Sequence, residues 1–211
     1  MCGRYKVFSE AEVMEVRRVI QEISMRILHE DFEIKQGHNG EVRPTNKAPV
    51  IIPRGPSLVA LEDLRWGFKP PNSSNVIINA RVETLEERVM FSHLVQVGRC
   101  VVPAREYYEW MNVGRKEKIK HHIKDKSGNL LFMAGLYREA PDGDGREYVI
   151  ITKDADGEVK KIHDRMPVLL RTDQIEPWFT GALTIQDISK ASFNLDVEPC
   201  DGEFVQMSLD W

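Results

Sequence analysis

The sequence predicts an α+β fold with a mostly antiparallel, bent or barrel-like sheet core flanked by helices. Three observations point there. The β-rich runs are short, clustered and separated by turn residues. One long segment carries clear helical periodicity. No GxGxxG and no P-loop follows any strand, which argues against a doubly wound βαβ fold. A length of 211 residues with 42% apolar content suits one domain over residues 1–211 with a sizeable core.

The elements read in order. Ser9-Glu10-Ala11-Glu12 is a capping box, in which the Ser9 hydroxyl and the Glu12 carboxylate each take up a free backbone N–H. Val13, Val16, Ile20, Ile23 and Ile27 follow at three- and four-residue steps, which predicts an amphipathic helix over 10–28. Residues 29–48 read as polar and irregular. Strand-like runs come next at 50–52, 58–61 and 76–78, separated by Pro- and Gly-containing turns. Residues 84–97 read as helical, with Leu85, Val89 and Leu94 inward. Strands are then predicted around 100–102, 107–110, 119–123, 130–136 and 148–152. The turns 126–129 and 141–145 read as hairpin connections. Short helices at 173–180 and 187–193 and a last strand near 203–208 complete the chain.

Charge and cysteine content narrow the function. Basic and acidic residues number 29 and 33, for a net charge of −4. That excludes a polybasic tail and an acidic disordered chain, and leaves a local basic groove open. No stretch approaches 18 apolar residues and the start has no apolar segment, so neither a membrane span nor a secretory signal is expected. The three cysteines, Cys2, Cys100 and Cys200, suit neither a disulfide framework nor a CxxC metal site. The expected setting is reducing and cytoplasmic. His121 and His122 are adjacent and point to opposite strand faces. His29, His38 and His93 have no partner at ligand spacing. No metal and no cofactor is therefore expected.

Cys2 is the residue with most chemistry. Removal of Met1 turns it into a 1,2-aminothiol. Its amine can condense with an aldehyde, and its thiol can then close on the same carbon to give a five-membered thiazolidine. The amine titrates near 8 and is partly neutral at pH 7, whereas the thiol needs help to ionise. The reading requires the thiol to be reachable from a cleft.

Other clusters are ambiguous one by one. Asn79 and Arg81 are two apart, so on a strand they share a face and suit a phosphate. They also fit a helix entry with a surface ion pair. Glu109 stands between Tyr108 and Trp110, where desolvation would suit it to general acid work, or it is an exposed strand carboxylate. His163 in Ile162-His163-Asp164-Arg165-Met166-Pro167 suits proton shuttling or a structural hydrogen bond. Arg4, Arg43, Arg65, Lys69, Arg81 and Arg165 are candidates for a basic groove, with Trp66, Trp110, Tyr107 and Tyr108 as candidate stacking platforms.

Several pieces fall in one order. They are Met1-Cys2-Gly3-Arg4-Tyr5, Pro44-Thr45, Arg65-Trp66-Gly67-Phe68, Asn79-Ala80-Arg81-Val82-Glu83-Thr84 and Arg99-Cys100-Val101-Val102-Pro103-Ala104. Tyr108-Glu109-Trp110, Ala134-Gly135-Leu136 and His163-Asp164-Arg165-Met166-Pro167 complete the set. Together they resemble the SRAP (SOS response-associated peptidase) family over residues 2 to about 170. The resemblance implies an SRAP-like fold and a sensor of abasic sites in single-stranded DNA. The mature cysteine would bond covalently to the ring-opened sugar, with lyase and autoprocessing peptidase activity alongside. It implies Cys2 as nucleophile, Asn79 positioning it, Glu109 as general acid/base and His163 as proton shuttle. Arg4, Arg81, Pro44, Trp66 and Arg165 would contact DNA. A monomer without membrane partner is expected. The chain departs from the family at Arg43, at Arg105-Glu106-Tyr107, and in lacking a tryptophan in the loop after Phe68. The alternative is an amino-terminal-nucleophile hydrolase, in which the Cys2 thiol attacks an amide and its own amine is the base.

Overall fold

The computed structural model describes residues 2–23, 26–27, 40–55, 58–70, 73, 75–114 and 117–206, with the side chains of 23, 26–27 and 201–206 excepted. The expectations for His29, His38, most of 29–48 and the end of the last strand lie outside those residues. The elements start with β1 (Tyr5–Lys6), a 3-10 turn, α1 (Val13–Ile23), β2 (Arg26–Ile27), β3 (Glu41–Val42), β4 (Lys47–Gly55), β5 (Leu58–Trp66) and β6 (Asn79–Arg81). They continue with α2 (Val89–Ser92), α3 (Leu94–Val97), β7 (Arg99–Ala104), β8 (Glu106–Asn112), β9 (Glu117–Asp125), β10 (Leu131–Glu139) and β11 (Arg146–Asp154). The last are β12 (Arg165–Pro167), β13 (Leu169–Leu170), α4 (Thr172–Thr180), α5 (Ile185–Ser189) and β14 (Leu195–Gln206).

Among the described residues these strands form two sheets. One has the order β14-β9-β8-β1-β3. The other runs β12-β11-β10-β7-β4-β5-β2, with β13 on β10 and β6 on β11. β11 also pairs in parallel with β5 through Glu147↔Arg65 and Tyr148↔Trp66. That contact joins the ends of the path β11-β10-β7-β4-β5 and closes it into a ring, so the expected α+β barrel-like core is present.

The ring is filled from the sequence's apolar runs. All residues of β7 are buried, as a strand covered on both faces requires. Its outer side meets α4: the Arg99 guanidinium donates to the Trp178 carbonyl at 2.9 Å, and Trp178 Nε1 donates to the Cys100 carbonyl at 3.0 Å. Both faces are filled: Ile51, Val101 and Ala134, which share one face by register, are fully buried, and so are Cys100 and Ile150 on the other. Gly135 is required where β10 passes between its neighbours. A Cβ there would lie 2.7 Å from the Val149 carbonyl oxygen and 2.9 Å from Cys100 Sγ.

Several details differ from the sequence reading: residues 76–78 hold only an isolated bridge at Ile77, the strand there being Asn79–Arg81, and the last strand begins at Leu195. The helix over 10–28 is described as helix to Ile23, and Arg26–Ile27 are a strand in parallel with β5. Apolar spacing alone does not separate a helix end from a short strand. Residues 84–97 break into two four-residue helices, which resets the helical register. Val89 is 91% exposed, and Phe91 and Val95 point inward in its place. The turn 126–129 is no hairpin: β9 pairs with β8 and β14, whereas β10 belongs to the other sheet. The turn 141–145 is one, since Glu139 faces Arg146 across it.

Candidate active site

The site forms where the two sheets meet. One sheet supplies the amino-terminal segment and β8, and the other supplies β6 and the loop between β11 and β12. Tyr5 pairs with Tyr107 and with Val42, which fixes the first residues of the chain between β8 and β3. Cys2, just before β1, is fully buried. Its thiol donates weakly to the Arg4 carbonyl at 3.8 Å. Burial pushes the thiol far above the usual cysteine range, and the Glu109 carboxylate opposes the thiolate further.

Asn79 opens β6, which lies parallel to β11 with Asn79 opposite Ile150. Its Nδ2 donates to the Cys2 carbonyl at 2.8 Å. Its Oδ1 is buried without a hydrogen-bond partner among the described residues. The side-chain amide therefore holds the cysteine backbone and keeps one acceptor in reserve.

Glu109 is 2% exposed, on the inward face of β8. Burial pushes its carboxyl up to about 7, against the opposing charge of the chain terminus. His163 Nε2 stands 4.0 Å from Glu109 Oε2. The Arg165 backbone N–H donates to His163 Nδ1 at 2.9 Å. Nδ1 is thus an acceptor, so the neutral ring carries its proton on Nε2, toward Glu109. Burial lowers the His163 value below the ordinary one and favours that neutral form. The pair has an acid near neutrality beside a neutral imidazole, an arrangement able to give and recover a proton at pH 7.

The structure thus brings Cys2, Asn79, Glu109 and His163 together, as the sequence motifs implied. It distributes the candidate DNA contacts differently. Arg81 is exposed at the end of β6, and its side chain makes no hydrogen bond or ion pair among the described residues. Arg4 sits over the Trp110 ring at 5.1 Å and pairs with Glu41 at 3.1 Å. Strand alternation puts Trp110 and Glu109 on opposite faces of β8, so the Arg4 guanidinium lies on the side away from Glu109. Pro44 lies half-buried in a turn whose Thr45 has φ +73° and donates its N–H to the Trp66 carbonyl at 2.8 Å.

Two of the DNA-contact assignments are corrected by burial. Trp66 is enclosed in the core, with its ring edge-on to Tyr5 at 5.2 Å and stacked on Tyr148 at 6.3 Å. Its Nε1 donates to the Ile78 carbonyl at 3.0 Å, and no ring face is left for a base. Arg165 is also buried, with its guanidinium donating to Glu83 at 2.7 Å and to the Thr152 carbonyl at 2.7 Å, so it braces β12 rather than facing solvent. Arg65, a groove candidate, is held by Glu147 at 2.8 Å and Asp142 at 3.1 Å. Tyr107 and Tyr108 are buried as well. Among the candidate stacking aromatics, Trp110 alone keeps partial exposure, under Arg4.

Sequence reasoning missed Glu41, which draws Arg4, Arg43 and Lys120 to one carboxylate at 3.1, 3.1 and 3.3 Å. It sits in the stretch read as irregular, and no motif marks it. Among the described residues no group of acidic, histidine and cysteine side chains is arranged to hold a metal. No described helix is long and apolar enough to cross a membrane.

Fold and site together set a buried cysteine at the second residue near a buried carboxyl that is itself beside a histidine. The sequence profile of the SOS response associated peptidase (SRAP) family matches residues 1–205. The chain belongs to that family. It is 33% identical over 216 residues to the abasic site processing protein YobE of Bacillus subtilis (strain 168), covering 99% of this chain and 94% of that protein. It is 34% identical over 195 residues to YoqW of the same organism, also named an abasic site processing protein, covering 89% and 84%. The crystal structure of a phage-related protein from Bordetella bronchiseptica is similar in fold, with a TM-score of 0.73 at 25% identity over 96% of this chain and 95% of that one.

Proposed function

We propose that the protein, once Met1 is removed, captures the ring-opened aldehyde of an abasic site in single-stranded DNA as a thiazolidine on Cys2. The observation that carries this reading is the meeting of Cys2, Asn79, Glu109 and His163 at the join of the two sheets. The names of its relatives as abasic site processing proteins support it.

The Cys2 amine attacks C1′ of the aldehyde. The carbonyl π electrons move to oxygen, which takes up a proton, and a carbinolamine results. Glu109 then protonates that hydroxyl, the C–O bond breaks, and water leaves to give an iminium. The thiol adds to the same carbon, the C=N π electrons return to nitrogen, and the sulfur's proton goes back to Glu109. His163, protonated on Nε2 beside the carboxyl, relays these protons. One water is released in all. The aminothiol supplies both nucleophiles, so the step calls for no cofactor. The iminium also acidifies the neighbouring C2′–H, which allows strand cleavage as a lyase side reaction; ring closure diverts it to a stable adduct. Arg81, exposed two residues from Asn79, would take a phosphate beside the lesion.

Cys2 is enclosed in the chain that carries Met1, and its nitrogen is there an unreactive amide. The reading therefore requires cleavage of the Met1–Cys2 bond and an approach to the thiol once that bond is cut. Incubation of the mature protein with single-stranded DNA bearing one abasic site gives a heat-stable adduct, and a chain retaining Met1 gives none. Cys2→Ala keeps the terminal amine but has no thiol to close the ring, so it forms no heat-stable adduct. Cys2→Ser keeps the amine and gives an imine that borohydride traps, with little heat-stable product. A heat-stable adduct formed equally by Cys2→Ala, or an acyl-enzyme burst with an amide substrate in its place, overturns the reading.

A further inference from the structure

We propose that the Tyr107 hydroxyl is a further substrate-contacting group of this site, a hydrogen-bond donor to the sugar oxygen that leaves as water. The inference rests on the thiazolidine reading above and adds a residue to it.

The buried aromatic polar atoms among the described residues are otherwise matched. Tyr5 and Tyr148 share a hydrogen bond of 2.6 Å between their hydroxyls. Trp66 Nε1 and Trp178 Nε1 each reach a backbone carbonyl, and the Tyr108 hydroxyl donates to Glu106 at 2.7 Å. Tyr107 is the exception. Its side chain has no exposed surface, and its Oη has no hydrogen-bond partner among the described residues. A phenylalanine would fill the same space without that orphaned group.

The position of Tyr107 points its hydroxyl to the chemistry. It faces Tyr5 across the β1–β8 register, and directly opposed residues share a sheet face. Tyr5 points into the core, so Tyr107 does too, and Glu109 two residues on follows the same face. Cys2, Glu109 and Asp156 all lie near enough to act on its hydroxyl electrostatically. Burial first, then these neighbours, holds the hydroxyl protonated far above the ordinary tyrosine range. Tyr107 thus donates throughout and gives up no proton; the proton that departs with water is that of Glu109.

Asn79 Oδ1 completes the match. It belongs to the amide that holds the Cys2 carbonyl, and it too has no partner among the described residues. A carbinolamine on Cys2 presents an oxygen that accepts and an N–H that donates. Tyr107 Oη and Asn79 Oδ1 are the complementary donor and acceptor.

The test is Tyr107→Phe in the mature protein, with single-stranded DNA carrying one abasic site. Adduct formation slows about tenfold, which is about 1.4 kcal/mol, while the melting temperature is unchanged or higher. The break near pH 7 set by Glu109 remains. Adduct formation at the wild-type rate overturns the proposal. So does a slowed variant whose melting temperature falls by several degrees, because the hydroxyl is then part of the packing. If the wild-type protein forms no adduct, the thiazolidine reading itself fails; a wild-type adduct with an unaffected variant removes the role of Tyr107 alone.

Discussion

Glu109 couples stability to reactivity through one proton. Its carboxyl titrates at about 7 in the fold, above the ordinary 4.5, because burial disfavours its charge. A raised carboxyl holds its proton more tightly in the native state. Its contribution is complete below about pH 4.5 and is lost as pH rises through 7, at a cost of roughly 3 kcal/mol. Glu109→Gln is therefore expected to be more stable than the wild type above pH 7, with the gap closing toward pH 4.5 in denaturant melts. A gap that stays constant across that range counts against a buried, titrating carboxyl. The same variant forms adduct at least about tenfold more slowly and loses the fall in rate above pH 7. Cys2 was legible in the sequence by its own chemistry, whereas Asn79, Glu109 and His163 were ambiguous one by one and were marked as candidates only by the resemblance of their motifs to a family. The Tyr107 hydroxyl and Glu41 did not stand out. A strand tyrosine reads as core whether or not its oxygen is satisfied, and a lone carboxylate in an irregular stretch carries no periodic or motif signal.

At the level of elements, β6 separates two roles within three residues. Asn79 turns to the cysteine and Arg81 to solvent, while Arg165 on β12 is spent on Glu83 and Thr152. Arg81→Ala is expected to weaken binding to undamaged single strands and to flatten the plot of log affinity against log salt by about 0.7, one phosphate contact. Arg165→Ala leaves that slope unchanged and lowers stability by about 2 kcal/mol, since its charged hydrogen bonds are partly buried. Equal slopes for Arg81→Ala and wild type remove Arg81 from the interface. The longer strands were readable, because runs rich in Val, Ile and Tyr between turn residues admit few other shapes, whereas β1, β2, β3, β12 and β13, two or three residues long, carry no run to read. The split of 84–97 into α2 and α3 was not, because four-residue helices are too short to show a period. The turn at 126–129 misled because a turn's residues report a reversal of the chain, not which sheet receives the next strand.

The whole molecule depends on a narrow seam. β5 and β11 meet over two residue pairs only, and Glu147 ties them: it accepts from Arg65 at 2.8 Å and from Arg138 at 3.0 Å with no exposed surface of its own. Glu147→Ala leaves two guanidinium groups without their buried partner and is expected to cost about 3–5 kcal/mol. The backbone amide of Gly67, which donates to the Tyr148 carbonyl across the seam at 2.7 Å, then exchanges earlier than those of β7 in hydrogen-exchange measurements; uniform exchange across the ring argues against a seam. Pairing between segments some eighty residues apart in the chain leaves no local trace, so closure of the ring was beyond a residue-by-residue reading. The two-residue strand β1 has a mechanical consequence of its own. Anything bonded to Cys2 is tethered through β1, and a pull on that tether loads the protein from its first residues. Two strand residues offer few backbone bonds against such a force. The anchor is Tyr5, sunk in the core and latched through its hydroxyl to Tyr148 on the ring, so tension on anything bonded there passes into the barrel rather than peeling the chain from its edge.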